Sequence, residues 1–333
     1  MSDPFSEVIG HHRIVDFFRQ QLAHATLSHA YLLVGEPQLG KTTVARALAR
    51  TLLPQMALEQ HPDYWEDDRA ESLKLDELRL LPDHQPEFHV QSLQAFLSLK
   101  PSLGQVRVAL ITNLARLATP LQAVLLKTLE EPHPGRVIIL TAPSLSPFVV
   151  LPTVISRCQQ VTFHSLPSSS IAEFLVAAGA SRESSRELAE LARGRPGWAL
   201  SAFTDQPLLE GYRQWTVRLS EVFGTSAVVA LHTAAELDRA TRQRADRGTS
   251  SVAKGKENSA FNLGLVLISW QLELRRRMIE AVDSPAAVQW AVLLERSYQL
   301  QGFLEQNVNP RLALEVFLLA ASRSGPSAVT SQG

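Results

Sequence analysis

The residues with the clearest chemical signature lie between Gly35 and Thr42. This segment, GEPQLGKT, matches the pattern G-x-x-x-x-G-K-[ST] at every fixed position. Glycines at 35 and 40 let the backbone curl so that successive N–H groups point at phosphates, and Lys41 can reach the β- and γ-phosphates. The Thr42 hydroxyl can ligate Mg²⁺. The spacing therefore predicts a loop that binds ATP and Mg²⁺ through Gly35, Gly40, Lys41, Thr42 and Thr43.

Short apolar runs and helical stripes surround this loop in the order that a parallel sheet requires. The apolar run 31–34 ends at the loop, and the segment 43–53 that follows it has helical spacing. Further strand-like runs lie at 107–111, 137–141 and 158–163, with a helical stripe at 120–129. Strands that alternate with helices at this spacing predict an α/β P-loop domain built on a parallel sheet.

The sequence lacks an acid where ATP hydrolysis needs one. Hydrolytic P-loop proteins place carboxylates after a neighbouring strand, where one organises Mg²⁺ and another can activate the attacking water. Here Thr112 and Asn113 follow the second predicted strand, and no Asp or Glu occurs from 88 to 129. Either residue can hydrogen-bond to a water on Mg²⁺, but neither is a base. The nearest acids, Glu130 and Glu131, lie at a helix end, so we do not expect them to replace the missing acids. The sequence therefore predicts nucleotide binding without efficient hydrolysis.

The pattern becomes purely helical after residue 166. Polar stretches at 194–197 and 241–259 interrupt this half, and the second of them predicts a mobile loop between helices. The composition is 45% apolar and 20% charged, with 32 basic and 33 acidic side chains, which excludes nucleic-acid binding by bulk charge. The single cysteine, Cys158, excludes a disulfide framework and a cysteine-based zinc site. With no long apolar run and no signal-peptide pattern, we predict a cytoplasmic protein without membrane contact.

Four segments resemble the AAA+ subunits of the bacterial clamp loader of DNA polymerase III. They are FSEVIGHHRI at 5–14, LSHAYLLVGEPQLGKTTVARALA at 27–49, LLKTLEEPHPG at 125–135 and LPTVISRCQQVTF at 151–163. The resemblance covers about residues 5–200. It implies four parts: a RecA-like AAA+ nucleotide-binding domain at 1–164, an all-α lid at 165–205, an all-α collar for oligomerisation at 206–322, and a disordered tail at 323–333.

Departures from the family's motor subunits favour its delta-prime branch. The Walker B stretch at 112–115 carries no acid, and residues 54–85 lack the cysteines of the motors' zinc cluster. The sensor 2 stretch at 194–198 has a glycine where a motor carries arginine, while Thr141 can stand at the sensor 1 position. The resemblance thus implies a subunit that turns over little ATP itself and holds no zinc.

The triplet Ser156-Arg157-Cys158 is the most specific element of the resemblance. By that resemblance, Arg157 is an arginine finger presented in trans to ATP held by a neighbouring subunit, while Ser156 and Cys158 pack and orient its loop. A guanidinium offers a planar fork of donors to the charge that develops on a γ-phosphate. The plain alternative is a surface arginine in an ion pair.

The resemblance also implies partners. They are the gamma/tau and delta subunits of a hetero-pentameric ring and, indirectly, the sliding clamp and primer-template DNA. The chain would serve this assembly as a stator rather than as the polymerase catalytic subunit. Two alternatives remain open: an active gamma/tau-like ATPase that uses an unrecognised acid, and an AAA+ nucleotide-sensing regulator outside replication.

Overall fold

The computed structural model describes residues 3–69, 72–79, 91–131, 133–248, 263–305 and 309–324. Two units divide the chain, an N-terminal unit of residues 1–198 and a C-terminal unit of residues 199–333. The last strand ends at residue 162 and only helices follow it in the described residues, so the predicted change to helical structure is confirmed. None of the helices in these ranges combines the length and apolarity needed to cross a membrane.

Within the described residues of the N-terminal unit, five short strands form one parallel sheet. They are β1 (Ala30–Val34), β2 (Tyr64–Asp67), β3 (Arg107–Ile111), β4 (Arg136–Ala142) and β5 (Gln159–Thr162). Their order across the sheet is β2-β3-β4-β1-β5, and each neighbouring pair is parallel. Strands β1, β3 and β4 are buried along their whole length, which is why they occur in the sequence as unbroken apolar runs. The four predicted strands are confirmed, and β2 was not predicted.

Helices cover both faces of this sheet. They are α1 (His12–Ala23), α2 (Lys41–Leu52), α3 (Leu75–Leu78), α4 (Leu93–Ser98), α5 (Thr119–Glu130) and α6 (Pro152–Ile155). Three more helices follow the last strand, α7 (Ser168–Ala177), α8 (Arg182–Ala192) and α9 (Pro196–Thr204), and α7 packs against α8. On one face Tyr31 of β1 packs with Leu48 of α2 and, edge to face at 5.3 Å, with Phe18 of α1. On the other face Leu32 packs with Phe96 of α4. The alternation of adjacent β1 side chains between two cores fixes the strand's register between the two helical layers.

The C-terminal unit is built from long helices. They are α10 (Gln206–Val222), α11 (Ala227–Gly248), α12 (Leu263–Glu280), α13 (Ala286–Glu305) and α14 (Pro310–Ser322). Its core is centred on Trp270, whose ring stacks on Phe317 at 5.7 Å and whose indole N–H donates to the Trp215 carbonyl at 2.8 Å. The α12 and α13 helices pack against each other, as do α11 and α14.

One predicted loop is helical where the structure describes it. The α11 helix continues through residues 241–248, so the prediction of a loop over 241–259 is wrong for its first eight residues. The sequence TRQRADRG is polar, but arginine, glutamine and alanine are good helix formers, and polarity alone does not end a helix. Residues 249–259 lie outside the described residues. The predicted disordered tail also lies outside them from residue 325 onward, while Arg323 and Ser324 bond back to the last turn of α14.

Candidate functional site

The phosphate-binding motif forms a tight loop between β1 and α2. Gly35 has a φ of +152°, and a Cβ there would lie 2.6 Å from the Phe163 carbonyl oxygen, so only glycine fits this close approach to the end of β5. Gly40 has a φ of +92° and caps α2 in the left-handed region, which glycine adopts without steric cost. The two invariant glycines of the motif are therefore required by the backbone path of this loop.

Lys41 is folded into the curl of the loop. Its Nζ donates to the carbonyls of Gly35 and Glu36, each at 2.6 Å, and the side chain is buried. Thr42 and Thr43 follow in the first turn of α2, where backbone N–H groups have no partner within the helix. One ammonium and a helix N-terminus thus converge on the same loop, which fits an anion such as a nucleotide's phosphates. The five predicted binding residues all lie in the loop after β1 or in the first turn of α2.

The end of β3 is engaged with its neighbouring strands rather than with the loop. The Thr112 hydroxyl donates to the Asp67 carbonyl on β2 at 3.2 Å. The Asn113 N–H donates to the Thr141 hydroxyl on β4 at 2.8 Å. Since β2 lies on the side of β3 away from β1, the Thr112 hydroxyl is turned away from the phosphate-binding loop. This geometry does not support the expectation that Thr112 reaches a water on Mg²⁺.

A buried acid does lie beside β3, and it comes from the unpredicted strand β2. The side chain of Asp67 is 0% exposed and forms ion pairs with Arg69 and Arg116. Arg69 also pairs with the buried carboxylate of Glu77 at 2.8 Å. Burial alone would lower the pKa of Arg69, but its bonds to Asp67 and Glu77 outweigh that effect and raise the pKa. Two guanidinium groups thus neutralise the two acids, as in a structural ion-pair network.

Arg116 closes this network over the end of β3. Its Nε donates to the Thr112 carbonyl at 2.9 Å and its Nη2 to the Asp67 carbonyl at 3.0 Å. The charge of Asp67 is consequently committed to holding two strand ends together. Strand β2 was not predicted from the sequence, because its segment YWED ends in two acids and contains no apolar run. In the structure these positions alternate between half-buried and buried, and the two acids are paired with arginines.

The outer surface of the phosphate-binding loop is enclosed by two other segments of the N-terminal unit. His11 bonds through Nε2 to the Leu39 carbonyl at 2.8 Å, and its ring packs edge-on to Phe163 at 4.8 Å. Burial lowers the pKa of His11. At the start of α9, the Gly197 N–H donates to the Gln38 carbonyl at 3.0 Å, and a Cβ at 197 would lie 3.0 Å from that oxygen. The start of α9 therefore packs directly on the loop, and a side chain at position 197 would be in tight contact with Gln38.

The Ser156-Arg157-Cys158 triplet links α6 to β5. Arg157 Nη2 pairs with Glu130 Oε1 at 2.5 Å, and Nη1 donates to the Thr153 carbonyl at 2.8 Å. The Ser156 hydroxyl donates to the same carbonyl at 3.1 Å and lies 3.3 Å from Arg157 Nη1. The Cys158 side chain packs on the core of the sheet, and burial raises the pKa of its thiol to about 12. A thiol this hard to ionise is not a nucleophile at neutral pH.

Arg157 and the phosphate-binding loop lie at opposite edges of the sheet. Arg157 precedes β5, whose first residue is aligned with Tyr31, whereas Gly35 follows the other end of β1. At about 3.3 Å per strand residue, the four paired positions between them span roughly 13 Å along the strands. Arg157 therefore lies at the amino ends of the parallel strands, while the loop lies at their carboxyl ends.

The sequence of this unit matches a known family. Residues 10–167 match the family model described as DNA polymerase III, delta subunit. This segment is similar to that family of DNA polymerase III subunits. It contains the whole phosphate-binding loop, the sheet and the arginine triplet, so the matched segment carries every predicted site residue.

Similar proteins include tau/gamma subunits and a delta' subunit of DNA polymerase III. The tau/gamma subunit of Haemophilus influenzae is 31% identical over 234 residues, which cover 64% of this chain and 32% of the relative. The delta' subunit of Pseudomonas aeruginosa is 33% identical over 152 residues, which cover 40% of this chain and 42% of the relative. The chain thus spans less than half the length of either relative. The matches extend to both kinds of subunit at similar identity.

Among solved structures, a gamma-subunit-related protein of DNA polymerase III from Thermotoga maritima superposes with a TM-score of 0.46 at 18% identity, over 92% of this chain and 99% of that one. The clamp-loader delta protein of Bacillus subtilis gives a TM-score of 0.39 at 13% identity over the same shares of the two chains.

Proposed function

We propose that this chain is a delta-prime-like stator of the DNA polymerase III clamp loader. In this role it binds ATP and Mg²⁺ at its own loop but hydrolyses little of the ATP. It supplies Arg157 to the ATP site of a neighbouring subunit. The observation that carries the proposal is the placement of Arg157 at the edge of the sheet opposite to its own phosphate-binding loop.

Nucleotide binding rests on the loop geometry. Gly35 and Gly40 shape the curl, Lys41 supplies the ammonium, and the first turn of α2 supplies N–H groups. Thr42 is the residue that would ligate Mg²⁺, which would partly neutralise the phosphate charge. His11 and Gly197 frame the loop from outside, so binding at the loop involves three segments of this unit.

Inefficient hydrolysis rests on the end of β3. The sequence offers Thr112 and Asn113 where a hydrolytic subunit has acids, and both are hydrogen-bonded within the sheet. Asp67 is nearby in the sheet but is paired with two arginines. Without a general base, turnover is expected to fall by about 10²–10⁴ relative to a complete site.

The arginine-finger role of Arg157 is supported by its exposure and by its distance from the phosphate-binding loop of the same chain. The side chain is 32% exposed on the protein surface, and roughly 13 Å of strand separate it from its own loop. A phosphate contact must therefore be made to another molecule. Arginine fingers are worth about 10³–10⁵ in rate in enzymes that use them.

The partners follow from the family. A stator with this arginine would assemble with other clamp-loader subunits, of the gamma/tau and delta kinds, in a hetero-pentameric ring that serves the sliding clamp and primer-template DNA. The helical C-terminal unit would supply the collar contacts of the ring. A cytoplasmic location goes with this role.

The test has two parts. The purified chain should bind a fluorescent ATP analogue in the presence of Mg²⁺, lose binding with Lys41→Ala, and release almost no phosphate from ATP. In a complex reconstituted with the tau/gamma- and delta-type subunits of the same organism, Arg157→Ala should lower DNA-stimulated ATP turnover at least tenfold. The control is Arg186→Ala, which removes an exposed arginine from α8.

Two results would oppose the proposal. Rapid turnover by the chain alone would favour the gamma/tau-like motor. Failure to assemble with clamp-loader subunits, together with normal nucleotide binding, would favour a regulator outside replication.

A further inference from the structure

The guanidinium of Arg157 is held on its own chain at the ends of two helices. Its Nη2 meets the Glu130 carboxylate at 2.5 Å, and its Nη1 meets the Thr153 carbonyl at 2.8 Å. Glu130 is the last residue of α5, where the helix dipole favours a cation. In the isolated chain the proposed finger is therefore neutralised by an acid from a different element of the fold.

This ion pair differs from the structural arginine pairs of the same unit. The side chains of Arg157 and Glu130 are 32% and 47% exposed, so water screens their attraction and the pair is weak. Arg116, in contrast, is buried with Asp67 and is tied to two carbonyls. A weak exposed pair can be displaced by a partner with more charge. The oxygens of a polyphosphate offer such a partner, since they accept bidentate, charge-assisted bonds from a guanidinium.

Glu130 also lies at the amino edge of the sheet, since α5 ends before β4 begins. Its carboxylate therefore faces the same side as Arg157 and not the phosphate-binding loop of its own chain. When the phosphates of a neighbouring subunit approach Arg157, they meet the negative charge of Glu130 beside it. To bind the guanidinium, they must displace the Glu130 carboxylate.

We propose that Glu130 is a latch for Arg157. It is a positioning residue whose carboxylate holds the guanidinium on its own chain until the phosphates of a neighbouring subunit's ATP draw it away. This inference rests on the proposed function, and it adds the residue that sets how readily the finger is released. The latch lowers engagement with a weakly bound neighbour and lets a fully docked, ATP-loaded neighbour win the competition.

The variant Glu130→Gln tests the latch, because it removes the charge and keeps the shape of the side chain. The full-length chain is titrated into a fixed amount of tau/gamma- and delta-type subunits with primed DNA, and ATP turnover is measured. Loss of the exposed pair should lower the chain concentration for half-maximal turnover about two- to fivefold, with an unchanged plateau. Glu131→Gln is the matched control, because it removes the same charge one residue away and is not paired with Arg157 in the described structure.

The remaining variants separate failure of the latch from failure of the finger. In the Arg157→Ala background, Glu130→Gln should have no effect; a persisting shift would overturn the latch while the finger stands. If Arg157→Ala leaves turnover intact, the proposed function itself is wrong. A Glu130→Gln curve that coincides with the control, or that moves to higher concentration, would also overturn the latch. Circular dichroism melting checks that each variant folds, and Glu130→Ala replaces Glu130→Gln if that variant does not.

Discussion

Replacing Arg116 by methionine tests whether the end of β3 is a structural ion-pair network. The guanidinium is buried, pairs with Asp67, and donates to the carbonyls of Thr112 and Asp67 at 2.9 and 3.0 Å. Methionine fills similar volume, but it removes one donor from each of the Thr112 and Asp67 carbonyls and leaves the Asp67 carboxylate with one guanidinium fewer. Breaking a buried pair from one side costs about 3–5 kcal/mol. At about 2–4 °C per kcal/mol for a domain of this size, the melting temperature should fall by roughly 6–20 °C.

The assay is urea and thermal unfolding followed by circular dichroism. Arg46→Ala is the control, because it removes the partly exposed pairs of Arg46 with Glu66 and Asp68, each at 2.8 Å, and should cost about 1 kcal/mol or less for each pair. The double variant Asp67→Asn with Arg116→Met should recover part of the loss, since it leaves less buried charge without a partner. A loss with Arg116→Met no larger than with Arg46→Ala would refute the network and reopen Asp67 as an acid for catalysis.

Three further predictions concern the enclosed loop and the triplet. Gly197→Ala places a Cβ 3.0 Å from the Gln38 carbonyl oxygen and should lower the free energy of unfolding in urea by about 1–3 kcal/mol. The control Gly302→Ala, in open space on α13, should not lower it. Equal effects of the two variants would contradict the close contact. Burial holds the pKa of His11 below its ordinary value of 6.5. The contribution of neutral His11 to the free energy of unfolding is full above about pH 7 and is lost as the pH falls through 6.5 towards the folded-state pKa. The His11→Gln variant should therefore lose less stability between about pH 7 and pH 5 than the native chain. Parallel losses in the two proteins would contradict this. Because the pKa of Cys158 is raised to about 12, its thiol should react with iodoacetamide far more slowly at pH 8 in the native chain than in urea, and equal rates would show that it is accessible.

The features that follow fixed spacing could be predicted from the sequence. The loop from Gly35 to Thr42 and the buried strand before it form as expected, because the motif requires a strand, a curl and a helix start in that order. The bounds of β3 and β4 were also accessible, since strands buried on both faces occur as unbroken apolar runs. The edge strand β2 could not be predicted in this way, because its acids form ion pairs with arginines that lie elsewhere in the chain.

Contacts across the fold were beyond the sequence. Nothing in the spacing of Glu130 and Arg157 indicates an ion pair, because it depends on how α5 and α6 end beside each other. The hydroxyl of Thr112 could reach Mg²⁺ in principle, and only the position of β2 shows that it bonds elsewhere. The opposite placement of Arg157 and Gly35 follows from parallel strands once their order is known, since one residue precedes a strand and the other follows one.

The most direct test of the proposed stator compares Arg157→Ala with Lys41→Ala in the reconstituted complex. DNA-stimulated ATP turnover is measured at matched assembly, verified by gel filtration of each complex. A large loss with Arg157→Ala and little loss with Lys41→Ala is the predicted result, because the arginine serves a neighbour's ATP while this chain's own loop is not a site of turnover. Equal and severe loss with Lys41→Ala, without impaired assembly, would contradict it and assign hydrolysis to this chain.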